Sequence, residues 1–564
     1  MSRFEMNPAY PISQLEKGYA ALAKALGSKG VWLLEGAAAA DWEALRAGLD
    51  AALEALKVKV AWLDARQALL SLEERWAVLR PTLGIGDLEH GRLFEGDLKS
   101  LFDENKLKAL AEKAEKCADL CIVYGPGSSL LPLFSAKLGF VELTNEQEIA
   151  LVPAGKARSL VGVEPASMRH VASVDWQVMD HLAGELLTKV DLYINLDDPA
   201  IPVAATGMAL RAAAKTLRRQ PFCAVPTLRP ARWGGHYLNK VLGLDNPPDT
   251  IGQMYLLHTR KNAIALRSKD AELRFPFTRL LNLEPAGILG EVGVRAAGEK
   301  LPVHFNLVDT VGSASQLPIQ VHPNWEQAWR DYNATASEDE SYYILHSEGG
   351  NVNLGLRSDV DPQKFIEALR LAREEAVNLT QPDYVDLYPT RAHDAIHVPA
   401  GVVHDVGPGN VLLEVSLAHD AHIYRLFDYL QRFPDGRLRP VQVEEGLRYL
   451  DWDGNTDFVR QNSFQPARLL SQNADATVYV VMDTAWYGFE MQRIELQGTH
   501  ADDTLGRSFH AVMLIEGEGV NIEGEGFKQP LHTYELALVP ADCGAYRLVN
   551  QDKQGCKVLK TFMK

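Results

Sequence analysis

Apolar and polar positions along the first 215 or so residues alternate between two periods. Over 12–27 and 41–57, rich in Ala, Leu, Glu and Lys, they recur at helical spacing. Between these, Gly30–Gly36 (GVWLLEG) is a short continuous apolar run, which predicts a buried strand; Val58–Leu63 and Leu120–Tyr124 are two more. An amphipathic helix is predicted over about 175–190, then VDLYINLDD, then a second helix at about 207–218. Strand–helix alternation of this kind predicts a parallel α/β sheet with helices on both faces.

The texture changes after the Pro-rich stretch 221–235 (PFCAVPTLRPARWGG). From there, strand-like segments separated by Gly, Pro, Asn and Asp run to the end of the chain. Examples are Leu301–Asp309, Leu317–Val321, Tyr342–His346, Ala395–Pro399, Val411–Leu417 and Phe509–Ile515. This predicts two all-β barrels of the jelly-roll sort, dividing near 440–465. One helical insert interrupts them, Asp361–Asn378, with Asp361 as N-cap and Pro362 at the first helical position. The expected domains are 1–220, 221–445 and 446–564.

The length of 564 residues exceeds one hydrophobic core and agrees with several domains. The net charge of −17 disfavours nucleic acid and anionic lipid as main partners. No apolar stretch is long enough to span a bilayer, and MSRFEMNPAYPISQLEKG lacks the pattern of a secretory signal. Five scattered cysteines point away from a disulfide framework and suit a reducing compartment, so a cytoplasmic location is expected.

The chemistry is concentrated in the first β module. In LPIQVHPN, Gln320 and His322 are two apart in a strand and face one side. Glu340 follows in EDESYYIL. Much later, Pro399, Gly401 and His404 form a P-x-G-x-x-H unit, whose turn delivers His404 inward. Two imidazoles, a carboxylate and an amide oxygen suit a borderline divalent metal such as Zn²⁺, with a position left for water or substrate. His397 is expected to be packed, His393 and Asp394 to lie in a loop, and His419, Asp420 and His422 to lie in a solvated loop. His510, in the last module, has no companions for a metal site. Asp428 stands three residues after Arg425 and is placed to orient it.

QVHP, a Glu leading into an aromatic strand, PAGVVH and AHDAHIYRLFDY together resemble the class I mannose-6-phosphate isomerases, over about 225–564. RWGGHYLNKVLGL, SFHAVMLIEGEG and ALVPADCGAY extend the likeness. It implies two cupin barrels, the second metal-free. It also implies one Zn²⁺ per chain held by Gln320, His322, Glu340 and His404, with Arg425 over the substrate. The implied reaction is aldose–ketose isomerisation through a cis-enediol, on mannose 6-phosphate or a related sugar. Three positions depart from that pattern. Glu338 stands where the family has a lysine two residues before the metal Glu, Asn306 where it has another lysine, and Pro318 where it has a serine. Glu338 is then the one base that can be named, and Arg260, Lys261 and Arg267 are candidate replacement cations. A sugar- or phosphosugar-binding protein without catalysis and an iron oxygenase are the alternatives; the amide ligand Gln320 counts against the second.

The N-terminal part, over about 15–220, is similar to a nucleoside- or uridine-kinase-like domain, through GDLEHGRLFEGDLKSLFD, LCIVYGPGSSLL, HVASVDWQVMDHL and DLYINLDDPAIPV. A working P-loop needs G-x-x-x-x-G-K-[ST]. The corresponding LLEGAAAADWEAL has no Lys and no Ser or Thr, so a degenerate P-loop-kinase-like domain without Mg²⁺–ATP binding is expected.

Overall fold

The computed structural model describes residues 4–87, 90–417, 422–433, 435–483 and 488–564. The chain forms two compact units, and neither is continuous in sequence. One is Pro8–Leu217 with Ala263–Glu284; the other is Met1–Asn7, Arg218–Asn262 and Pro285–Lys564.

The first unit holds a seven-stranded sheet. Its spatial order is Glu16–Lys17, Val203–Thr206, Leu192–Asn195, Lys137–Glu142, Gly30–Gly36, Leu120–Tyr124, Val60–Asp64. The last five are mutually parallel, and the first two are antiparallel additions at one edge. Leu120–Tyr124 is buried along its whole length, which explains its unbroken apolar run. The helix Trp42–Ala55 places Trp42, Leu45, Leu49 and Leu53 on one stripe and buries them against the sheet. Gly36, at the end of the central strand, is obligatory: a Cβ there would lie 1.8 Å from the carbonyl oxygen of Val141.

Ala263–Glu284 was expected in the middle domain, yet it completes the first unit. Ala263–Ser268 pairs in parallel with Ala9–Pro11 and antiparallel with Ala271–Pro276. The following helix Phe277–Leu283 carries Arg279, which is ion-paired to Glu142 at 2.8 Å and to Asp180 at 2.9 Å. A buried guanidinium needs such partners, and they lie in this unit.

The second unit contains both β modules. In the first module, a six-stranded sheet runs Ala395–Val398, Glu340–Ser347, Asn410–Leu417, Val303–Asp309, Gln253–Leu257, Thr227–Arg229. A five-stranded sheet runs Val385–Pro389, Asn351–Leu356, His404–Val406, Ile319–Val321, Tyr424–Phe427. All pairings are antiparallel. Val308, Tyr342, Ile344 and Leu412 from one sheet share a core with Val352, Leu354 and Val406 from the other. The helical insert is Pro362–Glu375, with Asp361 accepting from the backbone N–H groups of Gln363 and Lys364; it stops where Ala376 turns left-handed. Helices Val443–Tyr449 and Thr456–Asn462 follow. His397 N–H donates to Ser463 O and Leu356 N–H to Gly454 O, so the first module extends past the expected limit of 445. The second module, from Arg468, is another pair of sheets, six- and four-stranded.

Candidate metal centre

The strand Ile319–Val321 lies between His404–Val406 and Tyr424–Phe427, and its pairing sets the site. Gln320 lies opposite His404 on one side and opposite Arg425 on the other. Directly opposed residues project to the same face, so these three side chains form one row. Glu340 opens its strand in the facing sheet. The turn of the P-x-G-x-x-H unit is tied to the site by its backbone. Gly401, at φ 86°, donates its N–H to the carbonyl of His322 at 2.8 Å. Only a residue tolerant of positive φ closes that turn without strain.

These elements bring His322, Glu340 and His404 together, all buried, with one donor atom of each within 4.8 Å of the others. Among the described residues no other group of three or more His, Cys, Asp and Glu side chains is so gathered. His322 Nε2 is 3.1 Å from Glu340 Oε1, and His404 Nε2 is 3.5 Å from Glu340 Oε2. Gln320 joins them, its amide 3.2 Å from His404 Nε2. His404 Nδ1 lies 2.8 Å from the carbonyl of Val402. Donation of an Nδ1 proton to that carbonyl leaves the Nε2 lone pair facing Glu340. Neither ring nitrogen of His322 makes a well-aligned hydrogen bond. Tyr342 donates its hydroxyl to Glu340.

The charges are strongly coupled. Burial works against an imidazolium at His322, but Glu338 and Glu340 outweigh it and raise its pKa to about 9. Burial, helped by the neighbouring His322, pushes His404 down to about 4, with Glu340 only partly opposing. Burial would raise Glu340, but His322, His404 and the Tyr342 hydroxyl hold it down at about 2. An ionised carboxylate, a neutral imidazole with its lone pair turned inward, a second imidazole and an amide make up the donor set that oxygen- and nitrogen-loving divalent cations take.

The other expected residues fall as follows. Arg425 stands in the same row as Gln320, and its backbone N–H is held by Gln442. Glu338 does not face open space: its Oε2 is 3.4 Å from His322 Nδ1. Asp428 is ion-paired chiefly to Arg439, at 3.1 Å, and feels Arg425 and Arg232 more weakly. His422, expected in a solvated loop, is buried and stacks on the Tyr332 ring at 4.0 Å. His419 and Asp420 lie outside the described residues. His397 is fully buried, as a packed residue should be. Arg267, a candidate replacement cation, belongs to the first unit and pairs with Glu272 at 2.7 Å. Arg260 is buried beside His258, which in turn stacks on His304.

One residue was not singled out from sequence. Glu414 lies opposite Tyr342 on one side and Asn306 on the other. Burial first, then the charges of Glu340 and Glu338, raise its pKa far above the carboxylate range, while a bond from Asn306 works the other way. A carboxyl inside the apolar run VLLEVSL was the available signal.

The chain is homologous to mannose-6-phosphate isomerases. It is 23% identical over 337 residues to the Bacillus subtilis enzyme ManA, covering 58% of this chain and 96% of that protein. It is 24% identical over 249 residues to the Streptococcus mutans mannose-6-phosphate isomerase, covering 44% and 71%. Among solved structures, the B. subtilis mannose 6-phosphate isomerase aligns with 61% of this chain and 99% of its own, at 17% identity and TM-score 0.49. A zinc-bound mannose 6-phosphate isomerase aligns at 14% identity and TM-score 0.46. Residues 18–219 match a family described as a domain of unknown function, DUF8485. No helix among the described residues is long and apolar enough to cross a membrane.

Proposed function

We propose that this chain is a metal-dependent aldose–ketose isomerase acting on mannose 6-phosphate or a related sugar. The observation that carries the reading is the buried convergence of His322, Glu340, His404 and the Gln320 amide, in a chain homologous to mannose-6-phosphate isomerases. Those four side chains would hold one Zn²⁺, which when bound polarises a sugar oxygen. Glu414, whose pKa is raised by burial and by Glu340 and Glu338, would be a group able to hold or hand over a proton in this barrel. Arg425 lies in the row beside Gln320 and supplies positive charge where an oxyanion develops. Tyr342 donates to Glu340 and fixes its orientation.

A second reading rests on the carboxyl groups. Glu338, Glu340 and Glu414 act on one another electrostatically, and Glu338 and Asn306 stand where the family has lysines. Such a pocket favours a sugar with less negative charge than a hexose 6-phosphate, or binding without turnover. For the N-terminal unit the reading is a degenerate kinase-like fold that does not turn over ATP.

The test is zinc content and isomerisation of zinc-loaded protein, with mannose 6-phosphate, mannose, lyxose and fructose compared side by side. Stoichiometric zinc with turnover of at least one sugar is expected. Full metal retention by the His322→Ala, His404→Ala double variant refutes the metal assignment. Stoichiometric zinc without turnover of any of these sugars refutes the isomerase reading and leaves the binding one.

A further inference from the structure

The first unit contains a cavity of about 760 Å³, within the size range of small-molecule sites. It lies at the carboxyl ends of the parallel strands. Ala39 and Ala40 follow Gly30–Gly36, Leu143 follows Lys137–Glu142, and Leu196 and Asp197 follow Leu192–Asn195. These are neighbouring strands whose onward connections diverge. From Gly30–Gly36 the chain proceeds to Val60–Asp64 on one side; from Lys137–Glu142 it proceeds to Leu192–Asn195 on the other. Open α/β sheets form ligand crevices where connections part in this way.

The lining defines what can bind. The apolar part of the lining includes Ala39, Ala40, Leu143, Leu151 and Leu196. The walls carry two cations, Lys156 and Arg158, and the Gln147 amide. None of these three side chains has a hydrogen-bonding or ion-pair partner among the described residues. Asp41, Asp197 and Glu164 are the facing acceptors. In the loop after the central strand three amides are already engaged: Ala37 N–H donates to Val141 O, Ala40 N–H to Ala37 O, and Trp42 N–H to Ala40 O. Asp41 itself caps the helix Trp42–Ala55, accepting from Ala44 N–H at 3.0 Å. A polyphosphate is therefore met by a carboxylate where a phosphate cradle would need N–H groups.

We propose that this cavity binds a small hydroxylated organic anion. The acidic group sits on Arg158 and Lys156, and the hydroxyls donate to Asp41 and Asp197. Sugar phosphates and sugar acids share this chemistry. The site is separate from the barrel residues and does not depend on their being catalytic.

Hydrogen–deuterium exchange on the full chain tests it, with glucose 6-phosphate, gluconate, glucose, inorganic phosphate and Mg²⁺–ATP each added at millimolar concentration. Slower exchange over 37–45 and 151–158 is expected with glucose 6-phosphate, gluconate or both, and the two arms distinguish phosphate from carboxylate. The Lys156→Gln, Arg158→Gln double variant alters exposed or half-buried residues and keeps the fold. It should weaken that protection by about tenfold or more. Absence of protection with both anions overturns the proposal. So does equal protection by glucose, stronger protection by Mg²⁺–ATP, or protection unchanged in the double variant. Because the readout is local, a barrel without isomerase activity leaves the result interpretable.

Discussion

Glu338 is where position in the chain and position in space lead to different expectations, and it can be tested quantitatively. Its carboxylate is 3.4 Å from His322 Nδ1, and its side chain is only 12% exposed. At that distance two unit charges attract by about 5 kcal/mol for an effective dielectric of about 20, an upper bound on what the pair contributes. A carboxylate on the outer nitrogen of a metal-bound imidazole orients the ring and raises its basicity, typically worth about 10–100-fold in metal affinity. Glu338→Gln keeps the size and removes the charge. Its zinc affinity should fall by about 10–100-fold, or about 1.4–2.7 kcal/mol. Glu338→Lys should fall further, because it sets a cation against the ring. The assay is competition for zinc against a chromophoric chelator, starting from metal-stripped protein, with thermal unfolding measured alongside. If Glu338 were instead the proton-transfer base, Glu338→Gln would lower turnover at saturating zinc and leave zinc affinity unchanged. That outcome would refute the positioning role argued from the 3.4 Å contact.

Three further outcomes concern the first unit. Glu35 is fully buried and accepts from Gly36, Gly127 and Ser129 N–H and from the Ser129 hydroxyl, so Glu35→Ala should cost about 3 kcal/mol or more in urea unfolding; an unchanged midpoint refutes this. Arg279→Met strands the buried Glu142 and its neighbour Asp180, and should destabilise the unit by about 3–5 kcal/mol by the same measurement. Burial raises Asp175 to about 8 and Glu148 to about 7, against about 4 in an unfolded chain. The native state therefore holds protons that the unfolded chain has released. Their contribution is complete below about pH 4 and is lost as pH rises through 7 and 8, by at most about 1.4 kcal/mol per group per pH unit. The urea midpoint should fall between pH 6 and pH 9, and Asp175→Asn should flatten the upper part of that fall.

How far these features could be read from sequence depended on their range. Gly30–Gly36 and Leu120–Tyr124 are strands buried on both faces, and their apolar runs are local signals. The helical insert was visible because Asp361 and Pro362 are a local start signal, while its stop at Ala376 has no Gly to mark it. Gln320, His322, Glu340 and His404 could be named from motif spacing, and the structure places them together. Glu414 was hidden because a single carboxylate in VLLEVSL shows its setting only once Tyr342 and Asn306 are paired beside it. The placement of Ala263–Glu284 was out of reach for the same reason. Its strand is specified by Ala9–Pro11, more than 250 residues away, and no local pattern reports such a pairing.

That excursion bears on how the protein can be made. The chain passes between the two units after Asn7, Leu217, Asn262 and Glu284. During synthesis the first unit cannot close when residue 217 emerges. Glu142 and Asp180 lack their ion-pair partner until Arg279 arrives from the far side of the Arg218–Asn262 segment. A gene cut near codon 220 would therefore yield an N-terminal fragment missing an edge hairpin and a buried cation, and a C-terminal fragment carrying that hairpin without its parallel partner strand. The two units interleave along the chain and form one assembly problem, so they should be inherited, expressed and proteolysed as a single piece.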